Sequence, residues 1–568
     1  MPFLPTTPEE MTALGWSQAD IILVSGDTYI DSPFIGVALI GRVLTQAGYQ
    51  VAIIAQPETA TDHDINRLGE PRLFWGVSGG SVDSMVANYT AVGKHRRSDD
   101  FTPGGVNDRR PDRAVIAYTN LIRRAFKQTR PIVLGGIEAS LRRLAHYDAW
   151  SKRVRRSILF DAKADILVYG MAERTVLALA DRLQRGVDFR SIPGLCYPAT
   201  TAPEGYLELP PFSEVATDPE AFTRMFNTFY QHNDPVTATG LAQLQEGRFL
   251  VQNPPASLLS PEELDRVHEL PFSRSVHPYY RSQGKVTAQE TIQFALTTHR
   301  GCYGECNFCA IAVHQGRTVV SRSEESILRE ATGLTRHPEF KGNIPDVGGP
   351  TANMYGFECP KKLSKGSCSQ RRCLFPTICP SLKVNHSRQL ALLRSLAGVA
   401  GVKRVFVASG VRYDLILADR QTGSRYLKAL VTDHISGQMK VAPEHSEEKV
   451  LARMGKPGVD LLLAFKKLFE RFTREAGKRQ YLTYYFIAAH PGCRTEEMAR
   501  LQAFCRQELG VVPEQVQVFT PTPSTYSTLM YWTKRDPFDG SPIYVEQDNA
   551  RKEAQKFLVT GKRRKPGV

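Results

Sequence analysis

Hydrophobic and polar positions alternate along the chain in a way that divides it in two. From about residue 20 to 190, short apolar runs at 21–25, 51–55, 73–78, 132–135 and 166–169 read as buried strands. Between them Val37, Leu39, Ile40, Val43 and Leu44 recur at helical spacing, and a further helix is predicted through 175–183. Strand and helix in alternation predict a parallel sheet covered on both faces, an open α/β domain. Residues 95–113, rich in charge, Pro and Gly, read as a surface insertion.

Residues 199–290 are less regular, with Pro-rich punctuation around a predicted helix near 221–245, and are expected to be a connector between domains. A second alternating region then carries six predicted strands, at 292–298, 343–347, 404–409, 438–442, 481–488 and 515–520. Helix starts fit between them. Ser321 stands three residues before Glu324 as a capping box, and Thr495 is followed by Glu496 and Glu497 in a first turn. Six βα units predict an incomplete barrel whose chemistry lies in the loops after the strand C-termini. The expected division is 1–198 for the first domain, 199–290 for the connector, 291–535 for the barrel with an insertion near 355–382, and 536–568 for a basic extension.

Composition narrows the class. With 568 residues and 42% hydrophobic positions the chain is too long for one small module and too apolar for a disordered tail. No apolar run approaches the roughly 18 residues that span a bilayer, so a soluble protein is expected. The opening MPFLPTTPEEMTALGW has two acids and no basic start, so no secretory signal is read and a reducing cytoplasm is expected. An excess of 72 Lys+Arg over 58 Asp+Glu gives +14, peaking at Lys562, Arg563, Arg564 and Lys565. A solvated tail accounts for that peak, although the same charge suits nucleic acid or ribosomal surfaces.

Seven of the ten cysteines fall between Cys302 and Cys379, a concentration that reduced thiols use for metal. Directly after the first barrel strand comes HRGCYGECNFCAIAVHQGR, with Cys302, Cys306 and Cys309 in C-x3-C-x2-C spacing. Three thiolates on one short glycine-containing loop can converge on three corners of an iron–sulfur cube. The fourth iron then has no local ligand and is open to a small molecule with an amine and a carboxylate, as S-adenosylmethionine is. Zinc completed by His299 or His314, or three unrelated buried thiols, are the alternatives. Zinc usually closes four ligands in paired spacings, which this triplet lacks.

The C-x3-C-x2-C motif with Phe308 before its last cysteine is similar to the signature of the radical S-adenosylmethionine superfamily. The full HRGCYGECNFCAIAVHQGR string, the SRSEESILREA after it, and the upstream LVQNPP and LPFSRSVHPYY closely resemble the YgiQ-like, or UPF0313, members of that superfamily. The resemblance implies a cobalamin-binding-like open sheet followed by a partial (β/α)6 barrel, with a 4Fe-4S cluster and S-adenosylmethionine as cofactors. It implies that Gly348 and Gly349 in DVGGPT receive the cofactor's amino group, though Pro350 stands where a Glu is common. An ordinary strand-ending turn is the other account of the glycines. By position, Ser409 and Arg412 in ASGVRYD and Glu444 in VAPEHS resemble residues that meet ribose hydroxyls and carboxylate. A salt bridge across the barrel mouth would use the same types. His490, in AAHPGCR, resembles the loop near the adenine; a structural turn competes.

A second group, Cys359, Cys368, Cys373 and Cys379, lies in a Lys-, Pro- and Gly-rich insertion with little apolar content. Such a loop suggests a stapled metal site, an auxiliary iron–sulfur cluster or zinc, with free thiols as the alternative. Cys196, Cys493 and Cys505 stand apart as packing residues. In the first domain Asp31, Pro33 and Gly36 fall in a D-x-H-x-x-G register, but Pro33 replaces the histidine that would ligate cobalt, which disfavours cobalamin. VLGGIEAS and GMAERT resemble the same fold.

The resemblance implies one-electron reduction of S-adenosylmethionine to methionine and a 5′-deoxyadenosyl radical, fed by an electron donor such as flavodoxin or ferredoxin. The substrate is not legible; the positive charge directs attention to RNA or a protein. The rival class is a non-catalytic iron–sulfur or zinc module that grips nucleic acid, for which the aromatic-free tail GKRRKPGV offers no stacking platform.

Overall fold

The computed structural model describes residues 3–561, so the basic cluster at Lys562, Arg563, Arg564 and Lys565 lies outside the described residues. Two units result. One runs through Leu258 and takes in Arg266–Gln293; the other holds Leu259–Asp265 and everything from Phe294.

The first unit is a nine-stranded sheet of β1 (Ile21–Ser25), β2 (Val51–Ala55), β3 (Phe74–Ser78), β4 (Ile132–Gly135), β5 (Ile166–Val168), β6 (Leu195–Ala199), β7 (Leu207–Leu209), β8 (Leu241–Gln245) and β9 (Arg248–Gln252). Its spatial order is β2-β1-β3-β4-β5-β6-β9-β8-β7. Strands β1 to β5 are mutually parallel, with Ile21 opposite both Val51 and Phe74. Every residue of β1 and β2 is buried, as expected of strands covered on both faces, whose runs are continuously apolar rather than alternating. The order 2-1-3-4-5 is doubly wound and reverses between β1 and β3, where crevices form beyond the strand C-termini.

Two expectations change here. The stretch 199–290 is not a bare connector: β7, β8 and β9 extend the sheet, with β9 antiparallel to both β6 and β8. The helix predicted through 221–245 is Pro219–Gln231 alone. Beyond it β8 and β9 form a hairpin about Glu246 and Gly247, at φ 51° and 82°, the left-handed pair that a tight two-residue turn demands.

Residues 95–113 lie largely at the surface, with Arg96, Arg97, Asp100, Asp108 and Arg109 exposed, but the segment is anchored inward at Arg110. Arg110 donates to the Gly26 carbonyl (2.9 Å) and to Asp27 (2.7 Å) and pairs with Asp99 (3.1 Å), all three side chains being buried. Of the segment's charges, Asp99 and Arg110 meet Asp27 at the end of β1 and neutralise one another there. At that end the backbones abut: a Cβ on Gly26 would lie 2.1 Å from the Gly79 oxygen.

In the second unit chain order is spatial order. Strand β10 (Leu296–Thr297) pairs with Val347–Gly348, and Asn343–Ile344, the earlier piece of the same broken strand β11, pairs with β12 (Arg404–Val405). Val411 bridges Val441 in β13 (Gln438–Glu444), which pairs with β14 (Tyr481–Ala488), which pairs with β15 (Gln515–Val518). All these pairings are parallel, which makes a six-stranded partial barrel. Helices cover it; in Val459–Glu475 the residues Leu462, Phe465, Phe469 and Phe472 return at intervals of three and four and are buried in the core.

Local corrections follow from helix ends. Residue Ile292 closes a short helix, Ala288–Ile292, so β10 starts later than predicted. Ser321 is in a strand, and Ser323 caps Glu324–Leu334 by accepting from Ser326 N (3.1 Å). The helix Thr495–Phe504 has its acids where expected, with Glu497 accepting from Arg494 N (2.9 Å). The supposed extension after 535 contributes Asn549–Thr560, which packs on Thr495–Phe504 and β15 and buries Val559 in the core. Among the described residues no helix is long and apolar enough to cross a membrane.

Candidate functional site

Barrel strands deliver their loops to one rim, and the backbone there is strained. Glu444, the last residue of β13, and Ala489 and Ser524, beyond β14 and β15, are non-glycine residues at φ 71°, 59° and 65°. Glu305 on the cysteine loop is at φ 46°. Such conformations cost of order 1–3 kcal/mol each and persist where surrounding structure enforces them.

The cysteine loop after β10 is held from three sides. Asn307 donates from its backbone to Met454 O (2.9 Å) and from Nδ2 to Arg453 O (2.7 Å), while its own carbonyl accepts from Ser527 N (2.9 Å). Lys362 and Arg372, from the cysteine-rich insertion, donate to the Glu305 carboxylate and carbonyl, both at 3.2 Å. The loop's sulfurs flank Gly304: a Cβ there would stand 3.2 Å from Cys302 Sγ, 3.6 Å from Cys306 Sγ and 3.4 Å from Arg412 Nη1. Only glycine leaves that hollow open. Burial raises the Cys302 thiol and pushes Cys309 up to about 12, and the neighbouring Cys306 adds to both. Such thiols give up their protons to solvent readily only when a cation binds the sulfur.

Among the described residues no three His, Cys, Asp or Glu side chains are gathered as the ligand set of a single ion. His299, the candidate for completing zinc, has Nδ1 2.8 Å from the Thr298 hydroxyl and lays its ring against Gly349. Soft sulfurs spaced around a glycine hollow, with a guanidinium beside them, fit a polynuclear cluster.

The other expected residues are placed as follows. Gly348 accepts from Thr298 N (2.8 Å) and ends the second barrel strand, and its neighbour Gly349 packs against His299. Phe308 and His490 meet edge to face at 6.4 Å; His490 holds the Ser527 hydroxyl (2.7 Å), and burial takes its imidazole down to about 3, which keeps it neutral. Ser409 is committed to Asp346, through its backbone N (3.0 Å) and its hydroxyl. Arg412 gives Nε (2.8 Å) and Nη2 to Asp414 and turns Nη1 to Cys306 Sγ at 3.8 Å. Burial favours loss of its charge, but Asp414 outweighs burial and holds the guanidinium protonated. Glu444 stands 3.7 Å from Lys456, and burial pushes its carboxyl up to about 7 against the pull of that lysine. Salt bridges at the rim, the alternative reading of these residues, are therefore present for Arg412 and Glu444.

In the second cysteine group Cys359 and Cys373 are buried in one apolar cluster with Tyr303 and Leu374, and Cys379 packs against it. Cys379 also donates its backbone N–H to Cys373 O (2.8 Å). Burial takes the Cys373 thiol up to about 11, Lys362 opposing. Cys368 is half-buried and outside that cluster. Cys196, Cys493 and Cys505 are buried, Cys493 with its sulfur 3.4 Å from His445 Nε2. Sequence reasoning missed Glu305, Asn307, Asp346, Asn353, Lys362, His386 and Asp414. Asn353, Lys362 and His386 lie outside every quoted motif and act through contacts 33 to 59 residues along the chain, whereas Glu305, Asn307, Asp346 and Asp414 stand inside quoted strings without being ligand types there.

A family described as radical SAM N-terminal matches residues 3–295. A UPF0313 protein of Fusobacterium nucleatum is 56% identical over 565 residues, covering 99% of this chain and 100% of its own length. One from Thermotoga maritima is 49% identical over 570 residues, with the same coverage of 99% and 100%. Among solved structures, the radical S-adenosylmethionine methyltransferase TsrM from Kitasatospora setae, with cobalamin and a [4Fe-4S] cluster bound, has TM-score 0.48 at 15% identity, covering 90% of this chain and 77% of that one. The cobalamin-dependent radical enzyme OxsB with aqua-cobalamin and S-adenosylmethionine bound has TM-score 0.49 at 12% identity, covering 94% and 58%. The expectation, drawn from Pro33, that cobalamin is disfavoured stands corrected: solved chains similar to this one carry cobalamin, TsrM together with a [4Fe-4S] cluster and OxsB as aqua-cobalamin.

Proposed function

The chain belongs to the UPF0313 family of radical SAM proteins, and from that premise we propose that it is an enzyme that binds a 4Fe-4S cluster through Cys302, Cys306 and Cys309 and cleaves S-adenosylmethionine. The observation that carries the reading is the glycine hollow at Gly304, flanked by two of the three sulfurs and by Arg412 at the barrel rim. When bound, the cluster supplies the electron that splits the sulfonium into methionine and a 5′-deoxyadenosyl radical, which abstracts hydrogen from a substrate C–H bond.

This chain's residues orient and enclose. Gly348 and Gly349 let backbone carbonyls approach the amino group without a Cβ between. Glu444 accepts from ribose hydroxyls, and does so best above about pH 7, where its carboxyl is ionised. Phe308 and the neutral His490 form an apolar edge for the adenine. The braces on the cysteine loop, from Asn307, Lys362 and Arg372, keep the sulfurs preorganised and water out. An electron donor such as flavodoxin or ferredoxin feeds the cluster, and the basic balance of +14 favours RNA or a protein as substrate. The thiols of Cys359, Cys373 and Cys379, joined by Cys368, are the second place for metal.

Anaerobically reconstituted protein given dithionite and S-adenosylmethionine should release 5′-deoxyadenosine, and the Cys302→Ala/Cys306→Ala/Cys309→Ala variant should release none. A loaded wild type that yields no 5′-deoxyadenosine is a binding module and not an enzyme. Iron and sulfide retained by the triple variant would support metal at the second cysteine group; loss of all bound metal would remove it.

A further inference from the structure

Arg412 is gripped at its backbone as well as at its head. The single side chain of Asn353, fully buried, takes both polar groups of that residue: Oδ1 accepts from Arg412 N (2.8 Å) and Nδ2 donates to Arg412 O (3.0 Å). A two-point hold of this kind fixes the rotation of the peptide from which the guanidinium projects. The second amide hydrogen of Asn353 faces His386 Nε2 at 3.2 Å, and His386 Nδ1 lies 2.9 Å from Asp419 Oδ2. Only one assignment of protons satisfies every link. His386 carries its hydrogen on Nδ1 and gives it to Asp419, so Nε2 offers a lone pair to the Asn353 amide. A flipped Asn353 would set oxygen against that lone pair and mismatch both contacts with Arg412. The His386 ring is itself locked, stacked on Tyr426 with centroids 4.7 Å apart.

At the head, Asp414 occupies Nε and Nη2, which leaves Nη1 directed at Cys306 Sγ, 3.8 Å away and beside the Gly304 hollow. The Arg412–Asp414 pair is neutral overall, so what reaches the sulfur is chiefly the oriented N–H. Donors to cluster sulfurs stabilise the more negative, reduced state and raise the potential.

We propose that Asn353 and His386 are positioning residues for Arg412, and that Arg412, so held, is the hydrogen-bond donor to Cys306 that sets the reduction potential of the cluster. The inference rests on the cluster reading above and assigns a use for two buried residues, Asn353 and His386, that no motif marks.

The test is an anaerobic redox titration of the full-length, reconstituted protein without S-adenosylmethionine, followed by electron paramagnetic resonance with iron and sulfide counted in each sample. At the wild-type midpoint, Arg412→Gln should lower the ratio of reduced to oxidised cluster about tenfold, equivalent to about 59 mV for one electron. Asn353→Leu, of similar shape, and His386→Phe, which keeps the ring on Tyr426, should move the ratio the same way by smaller factors. The double variant Arg412→Gln/Asn353→Leu should fall no further than Arg412→Gln alone, which a merely structural role for Asn353 would not produce. Unmoved midpoints in fully loaded single variants, or an undiminished Asn353→Leu shift in the Arg412→Gln background, overturn the proposal. If Asn353→Leu does not fold, Asp419→Asn disturbs the far end of the chain of contacts, where Asp419 also accepts from Thr422, and must still shift the ratio downward; no shift overturns it. A wild type without any cluster overturns the cluster reading too, whereas a loaded wild type with unshifted variants overturns this inference alone.

Discussion

Glu444→Gln should make the protein more stable at pH 8 while leaving it nearly unchanged at pH 4.5. Burial raises this carboxyl from its ordinary 4.5 to about 7, with Lys456 and Arg412 acting in opposition. Between those two values the folded chain keeps a proton on Glu444 that the unfolded chain has released. Stability therefore falls as pH rises through the window and levels off above about 7. The gap from 4.5 to about 7 corresponds to about 3 kcal/mol at about 1.4 kcal/mol per pH unit. Glutamine keeps the neutral form throughout, so the variant-minus-wild-type difference should grow from near zero to about 3 kcal/mol across the same range. Urea unfolding of both proteins at several pH values, with slopes as well as midpoints, reads this directly. A difference that does not change with pH refutes the reasoning. So does a variant less stable than wild type at pH 8, since the ion pair with Lys456 would then outweigh burial.

Other perturbations follow from crowding and pairing. Gly349→Ala places a Cβ 2.6 Å from the His299 ring and 2.8 Å from its carbonyl, so 5′-deoxyadenosine formation should fall at least about tenfold with iron content retained. Lys362→Met leaves the buried Glu305 carboxylate with Arg317 at 3.9 Å as its remaining ion-pair partner and should cost about 3 kcal/mol, with faster tryptic cleavage in the insertion. Adding Glu305→Gln to that variant should restore most of the loss, and no restoration would argue against an uncompensated charge. Gly26→Ala meets the Gly79 backbone oxygen at 2.1 Å, where nothing can rotate aside, and should destabilise the first unit by about 3 kcal/mol in urea unfolding.

Much of the architecture was readable because strands covered on both faces announce themselves as continuous apolar runs, as in 21–25 and 51–55. The barrel's order and the cysteine triplet were legible for a related reason: both depend on short-range spacing. What spacing does not carry was missed. The pair Glu246–Gly247 turns the chain back on itself, but its neighbours LAQLQ and RFLVQ, taken without that turn, also match a helix. Within 95–113 the burial of Arg110 left no trace because its partners, Asp27 and the end of β1, are some eighty residues away in sequence. The same holds at the rim. Arg412 was visible from its position after a strand, whereas Asn353, which orients it, is 59 residues upstream and has no pattern of its own.

The division of the chain bears on how the protein can be cut. Residues Leu259–Asp265 belong with the barrel although sequence assigned to the sheet unit lies on both sides of them. Asp265 from that short run accepts from Ser323 N (3.0 Å), the cap residue of the helix that follows the cysteine loop. A fragment beginning at 294 would therefore lose a brace of its own first long helix, and one ending at 198 would truncate the Leu195–Ala199 strand and strip it of its partner on one side, an open edge inviting other chains. Halves for separate expression have to be made by grafting the seven-residue run onto the C-terminal piece, because no single scissor point yields two intact bodies.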